Sequence, residues 1–427
     1  ASVRSIVRLA YNLLTYILLV PYALYWVVRG LWNRSYWYKL QERFGLGYRR
    51  LESCIWVHAV SVGEVVAATP LIRALMSAYP DKRLLVTTVT PTGAARVVST
   101  FGDTVDHGFI PFETPDAINR FFSAKNPEIA MITETEIWPN LYHGCGVRDI
   151  PLVLISARIS PKSVKSYRKL LPLFRETLSH GIVIAAQTRA DAVRFLSLGA
   201  APERTRVTGN IKFDIELPAT LGADGAVLRH ETFPGRPVWV AASTHDGEED
   251  LVLDAHRRVI RAVPDALLIL VPRHPQRFEG VRDLVKRRGF EVVSRTEDRP
   301  VPADCPVLLG DTMGEVPLFY AAADVAFVGG SLVPIGGHNL LEPAAAGVAI
   351  LAGPHNFNAQ EIADMLMDKG ACRVVDDSEH LADAVVALFG DADERRRMTE
   401  HAAGIIASNR GALSRLLEMI QPLVETD

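Results

Sequence analysis

A chain of 427 residues is too long for one ordinary core and calls for two domains with appendages. With 48% hydrophobic and 22% charged residues it has the composition of a folded globular protein, which excludes wholesale disorder. A formal net charge of −3 excludes the global basic field of a nucleic-acid binder, so an anionic substrate has to be met by local clusters of Arg, Lys and His.

The first predicted element is an apolar segment. From Leu9 to Val28 the run LAYNLLTYILLVPYALYWVV carries no charge, and about twenty such residues cross a bilayer core as a helix. Tyr11, Tyr22, Tyr25 and Trp26 stand towards its ends, where amphipathic rings favour headgroups, and Pro21 is a tolerated kink. We expect a spanning, single-pass or deeply inserted anchor. Asn12, Thr15 and the many aromatics suit instead a helix lying in the membrane plane. A cleaved signal fits poorly, because the run is long and no small-x-small site follows. Arg4 and Arg8 precede the segment, whereas Arg29, Arg34, Lys39, Arg43, Arg49 and Arg50 follow it. The heavier basic side stays cytoplasmic, which puts the body on the inner face of the membrane. Residues 31–44, LWNRSYWYKLQERF, suit an anionic membrane surface or a solvated linker helix. Residues 1–50 are accordingly anchor and basic, aromatic linker.

After residue 50 short apolar runs alternate with helical patterns, the mark of βαβ units and a parallel sheet. Strands are expected at 54–60, 83–89, 105–112, 129–134, 152–157 and 182–188, closing a first domain over 51–215. Residues 216–236 hold Pro218, Gly222, Gly225, Pro234 and Gly235 without a strand signal and read as a linker. The alternation restarts at 237–243, 266–272, 290–295, 306–311, 325–330 and 348–353, giving a second domain over 237–427 that ends in a helical stretch from Asp391 to about Leu423. The fold class is α/β: two Rossmann-like, doubly wound domains facing a cleft, with ligands expected beyond the carboxyl ends of the strands. Cys54, Cys145, Cys305 and Cys372 are far apart, form no CxxC pair and read as buried free thiols rather than a zinc or redox site.

Polar clusters follow the strands. In HAVSVGEV (58–65), Gly63 permits a tight turn or a close backbone approach. Glu64 falls in the first helical turn, where the dipole lowers a carboxyl pKa; it reads as a helix-capping residue or as a general base. In TETEIWPN (133–140), Glu134 and Glu136 share one face of an extended chain and read as solvated loop acids or as groups orienting an acceptor. Arg158, in SARIS, can hold a phosphate or carboxylate. Lys212, in GNIKFD, is a surface lysine or a cation for a leaving group.

In the second half, AASTHDGEED (241–250) turns into a helix start, and PRHPQRF (272–278) crowds Arg273, His274 and Arg277 into an anion-binding loop. DTMGEV (311–316) places Gly314 and Glu315 at a helix start whose free N–H groups can accept a phosphate or a base edge. VGGSLVPIGGHNLLEPAAAG (328–347) is the densest cluster. Glycines 329, 330, 336 and 337 make a flexible loop whose amides can approach a ligand; His338, Asn339 and Glu342 supply donors and an acceptor, Glu342 suiting vicinal ribose hydroxyls. GPHNFN (353–358) adds to the same rim.

HAVSVGEV, TETEIWPNL, GNIKFD, PRHPQRF, DTMGEV, GGSLVPIGGHNLLEP and GPHNFN resemble, in order and spacing, the bacterial Kdo (3-deoxy-D-manno-octulosonic acid) transferases. The resemblance covers essentially the whole chain. It implies a GT-B glycosyltransferase that moves Kdo from CMP-Kdo, bound in the second domain, to a lipid A precursor (lipid IVA) at the first, by an inverting single displacement. It also implies attachment to inner-membrane lipids, no nucleic-acid partner, no cofactor and no metal. Glu64 looks like the base, and Glu134 and Lys212 like transition-state stabilisers. Pro272, Arg273, Met313, Gly314, Glu315, Asn339, Leu340, Leu341 and Glu342 look like CMP contacts. Glu136, Arg158, His274, Gly337 and His338 are added as substrate-binding candidates from the motifs around them. The rival readings are a sugar-nucleotide epimerase of the same fold and a catalytically dead binding protein; acceptor-dependent release of CMP separates all three.

Overall fold

The computed structural model describes residues 3–425; the side chains of residues 3–5, Arg4 among them, lie outside the described set. The chain forms two units, one of residues 1–214 with 409–427 and one of residues 215–408. In the first, β1 (Cys54–His58), β2 (Leu84–Thr88), β3 (Asp106–Phe109), β4 (Pro127–Thr133), β5 (Leu152–Ala157), β6 (Val183–Ala186) and β7 (Thr205–Val207) pair in parallel in the order β3-β2-β1-β4-β5-β6-β7. Strands β1, β2 and β5 are buried at every residue, because helices cover both faces of the sheet; this is why they read as unbroken apolar runs. Trp56, Phe121, Leu154 and Phe195 pack on one face, and Ile55, Val57, Leu71 and Met131 on the other. The strand order reverses between β1 and β4, the place where such sheets open a crevice for ligands.

The second unit repeats the plan. Strands β8 (Val238–Thr244), β9 (Leu267–Pro272), β10 (Val292–Ser294), β11 (Val307–Leu309), β12 (Val325–Val328), β13 (Ala349–Ala352) and β14 (Cys372–Val374) form a parallel sheet in the order β10-β11-β9-β8-β12-β13-β14. Its reversal lies between β8 and β12. The four cysteines are free and buried.

Two departures from expectation have clear physical causes. The expected linker over 216–236 contains a helix, Leu221–Thr232, that belongs to the second unit. Gly225 is not a breaker there: a Cβ on it would come within 2.7 Å of Ala321, so glycine lets two helices touch. Arg229 fixes the contact through Asp324, at 2.8 and 3.1 Å.

The terminal stretch, expected to be helical and part of the second domain, is two helices, Ala392–Asn409 and Ala412–Val424, broken at Gly411 with φ +86°. The last one packs on the first unit. Asp214 receives the N–H groups of Gly411 and Leu413, each at 2.7 Å, and Leu416, Ile420 and Val424 are buried beside Ile55 and Leu71. At the other end a helix runs over Val3–Trp32, and its Ile6–Trp32 portion is long and apolar enough to cross a membrane.

Candidate active site

In the first unit the chain leaves β1 through Val60 and Ser61 and enters the helix Val62–Ala78 with Glu64 in its first turn. Glu64 Oε2 accepts the Val60 N–H at 2.8 Å and the Thr133 hydroxyl at 2.6 Å, and among the described residues no hydrogen bond reaches Oε1. One oxygen therefore caps the turn and the other is left over for chemistry. Burial raises the pKa of this carboxyl, opposed by its two hydrogen bonds. The expected lowering by the helix dipole is overturned, since loss of solvation outweighs a first-turn dipole. Gly63 has no clash to avoid, because a Cβ would meet only Ser61 Oγ at 4.0 Å, so no tight turn within the chain requires glycine there.

Glu134 and Glu136 do not share one face of an extended chain. The strand stops at Thr133, and Glu134 takes a left-handed conformation with φ +57°. Its N–H donates to the Ile155 carbonyl at 2.9 Å; its carboxylate receives Lys212 Nζ at 2.6 Å and pairs with Arg158 Nε at 3.3 Å. These contacts hold a backbone that a non-glycine residue adopts only at a cost. Glu136 accepts the Trp138 Nε1–H at 2.7 Å. Burial, and next the charge of Glu64, push its pKa up to about 7. Lys212 sits in a one-turn 3-10 helix, Ile211–Phe213, capped by the Asn210 side chain. Ser156, also left-handed, accepts the Ile211 N–H at 3.3 Å. Glu64, Thr133, Glu134, Ser156, Asn210 and Lys212 thus line one small pocket.

In the second unit the centre is Glu248, a fully buried carboxylate. It receives the N–H groups of Gly330 (2.7 Å), Ser331 (3.1 Å), Leu332 (3.0 Å) and His245 (3.2 Å). Gly336 and Gly337 donate to the Gly330 carbonyl. The glycine-rich loop is therefore not a flexible cradle of free amides, because those N–H groups are already engaged within the chain. Gly337 is needed for space, since at φ +74° a Cβ would lie 2.6 Å from Asn356 Oδ1.

His338 stacks on His245 with Nε2 atoms 2.8 Å apart. Burial, and then Arg273, push the His338 pKa down to about 3, and burial lowers His245 as well, so the pair is neutral with one ring donating to the other. His274 stands edge-on to His245 and is lowered in the same direction by burial and by Arg273. Arg277 is spent on Glu249, with contacts of 2.6 and 3.0 Å, whereas the exposed Arg273 side chain makes no ion pair among the described residues.

The remaining candidates are unequal. Pro272 is buried at the end of β9, and Met313 and Gly314 (φ +83°) are exposed. Glu315 pairs with Arg295 at 3.1 Å and accepts the Thr312 hydroxyl. The Leu340 and Leu341 side chains are buried, so only their backbone can meet a ligand, and the Leu341 N–H already donates to Asn339 Oδ1 at 3.0 Å. Glu342 is half-buried in the first turn of the helix Leu341–Ala346.

Residues 38–215 match the family model for 3-deoxy-D-manno-octulosonic-acid transferase (kdotransferase). The 3-deoxy-D-manno-octulosonic acid transferase of Haemophilus influenzae is 41% identical over 393 residues, covering 91% of this chain and 92% of the relative. The chain belongs to the Kdo transferase family. The Bordetella pertussis transferase is 36% identical over 395 residues, covering 89% and 90%. The fold is also similar to that of a putative UDP-N-acetylglucosamine 2-epimerase from Listeria monocytogenes, with a TM-score of 0.52 over 88% of this chain and 98% of that one. At 15% identity this likeness shows the two-unit GT-B architecture alone.

Within this Kdo transferase the structure gathers Glu64, Glu134, Arg158 and Lys212 about one turn, with Glu136 close enough to feel the Glu64 charge. It gathers Arg273, His274 and His338 about His245 in the second unit. Reasoning from residues missed Thr133 and Ser156, whose hydroxyls lock the first pocket, and Glu248, which builds the glycine loop. Thr133 and Ser156 stand at the carboxyl ends of predicted strands, which was a usable signal. Glu248 reads as one acid among several at a helix start.

Proposed function

We propose that this glycosyltransferase moves Kdo from CMP-Kdo to a lipid A precursor such as lipid IVA, on the cytoplasmic face of the inner membrane, with Glu64 as general base. Glu64 Oε1 takes the proton of an acceptor sugar hydroxyl. The hydroxyl oxygen then forms a bond to the anomeric carbon of Kdo while the bond to the CMP phosphate oxygen breaks, its electron pair leaving with CMP. One displacement inverts the centre. The observation that carries this reading is the half-engaged Glu64 carboxyl. One of its oxygens is fixed by Val60 and Thr133 and the other is open, and burial makes the group more basic beside the Glu134–Lys212–Arg158 cluster.

Lys212 and Arg158, held by Glu134, supply cationic groups suited to negative charge developing on the reacting groups. In the second unit, Arg273 suits the anionic groups of the donor and Glu342 the ribose hydroxyls, while Gly314, Glu315 and Asn339 offer further polar contacts. The test is CMP release from CMP-Kdo with and without a tetra-acylated lipid A precursor, followed by mass spectrometry of the lipid. Acceptor-dependent release with a mass gain of one or more Kdo units is the expected result. Release without an acceptor, or none from folded protein, sinks the proposal.

A further inference from the structure

The helix Val3–Trp32 is long enough to cross a bilayer, yet it does not stand clear of the first unit. Polar and aromatic clamps tie one of its faces down along most of its length. Arg8 donates to Glu176 and to Asn140, each at 3.1 Å. The Tyr11 hydroxyl donates to Glu113 at 2.9 Å, and that buried carboxylate also receives the N–H groups of Asn140 and Leu141 at 2.8 Å. The Tyr16 hydroxyl donates to Asp116 at 2.6 Å. Tyr22 stacks on Phe112 with centroids 4.2 Å apart. Trp26 is buried with the Arg43 guanidinium 3.4 Å from its ring centroid, and Arg43 in turn covers Phe109.

From Arg8 to Trp26 is about 27 Å of helix at 1.5 Å per residue, close to the ~30 Å thickness of a bilayer's hydrocarbon core. A helix crossing that core with these contacts intact would carry Glu113, Asp116, Glu176 and Arg43 into it. Such groups are expensive there, and releasing the helix would instead strip Trp26 and Arg43 of their cover.

The opposite face is a single aliphatic stripe. Leu9, Leu13, Ile17, Val20, Leu24 and Leu31 recur at helical spacing and are between 62% and 73% exposed. The clamped face is covered by the protein and this one by nothing among the described residues. The helix Leu171–Leu178 packs against the N-terminal helix, and the stretch just before Leu171 exposes Lys162, Lys165, Arg168 and Lys169. An aliphatic stripe about 33 Å long, on a helix packed against an element that follows an exposed basic stretch, fits the acyl boundary and anionic headgroups of one leaflet.

We infer that the N-terminal helix lies in the plane of the membrane, with its aliphatic stripe in one leaflet and the first unit resting on anionic headgroups. This deepens, and rests on, the proposed membrane attachment, and it does not depend on the identity of the acceptor. The spanning anchor expected from hydropathy alone gives way to the monotopic alternative, because hydropathy counts apolar residues and does not see which face is already clamped.

The full chain is the test object, since its native cysteines are buried. Nitroxides are placed singly by Leu9→Cys, Leu13→Cys, Val20→Cys, Leu24→Cys and Leu31→Cys. Their depth in vesicles of phosphatidylethanolamine and phosphatidylglycerol is read from collisions with oxygen against a water-soluble nickel chelate. The in-plane helix gives one shallow depth at all five sites. A depth that peaks at Val20 and returns to the headgroups at both Leu9 and Leu31 overturns the inference in favour of spanning. Labels that stay aqueous, or are immobilised only by a second copy, overturn membrane attachment itself. Transfer measured on the same vesicles separates either failure from failure of the proposed reaction.

Discussion

Glu64 combines two tasks that usually compete, since Oε2 finishes a helix turn while Oε1 accepts no hydrogen bond among the described residues. Glu64→Gln keeps the shape and an acceptor oxygen for the Val60 N–H but cannot take a proton. We predict a fall in transfer of roughly 10²–10⁴-fold, the range for a lost general base, with donor affinity nearly unchanged by calorimetric titration. A base must be ionised, so activity should fall as pH falls through the Glu64 pKa. Burial raises that pKa, so the acid limb should lie above the ordinary carboxylate value of 4.5. Glu136 should add a second inflection at about 7. Glu136→Gln should erase the upper inflection, and an inflection at about 7 that persists in that variant counts against this assignment. At Gly63 the chain itself leaves room for a methyl group. Gly63→Ala should melt normally but transfer slowly if a ligand approaches the backbone there, and unchanged turnover would show that nothing does.

At the level of elements, the glycine loop is held by one carboxylate. Glu248→Ala would leave the Gly330, Ser331, Leu332 and His245 N–H groups without their acceptor, each at a cost of about 1–3 kcal/mol when buried. We expect donor affinity to drop more than about tenfold by titration, with the second unit melting at lower temperature. The strands were legible in the sequence because both faces of each sheet are covered, which turns them into apolar runs such as CIWVH and LLILVP. The edge strand β7, Thr-Arg-Val with two of its three residues exposed, carries no such signal and was missed. Glu134 was misplaced for a different reason: a left-handed glutamate is held by Lys212 and Arg158, partners distant in sequence that no local pattern announces. Gly225 looked like punctuation and is a packing residue, a distinction that depends on Ala321 lying opposite. The motifs that end strands were legible because their polar residues have no place in a core.

For the whole molecule the decisive contact joins segments that are distant in sequence. Asp214 and Gly411 are 197 residues apart, and their bond ties the last helix to the unit that began the chain. Asp214→Ala should cost about 1 kcal/mol as a lost helix cap and lower the melting temperature of the first unit by ~2–4 °C. Removing the helix Ala412–Val424 is far more severe. Leu416, Ile420 and Val424 are buried, and covering a side chain of this kind contributes about 1.5–3 kcal/mol. We predict that a chain stopped after Ser408 shows one calorimetric transition, from the second unit, while limited proteolysis digests the first.

Synthesis then runs against the order of the polypeptide. Residues 215–408 form a continuous stretch that can fold as soon as it has emerged, but the unit begun before it lacks its closing helix until the ribosome has read past residue 424. Throughout that interval the aliphatic helix Val3–Trp32 is already outside the ribosome, and a nascent chain in this state depends on a membrane or a chaperone to keep it from its neighbours.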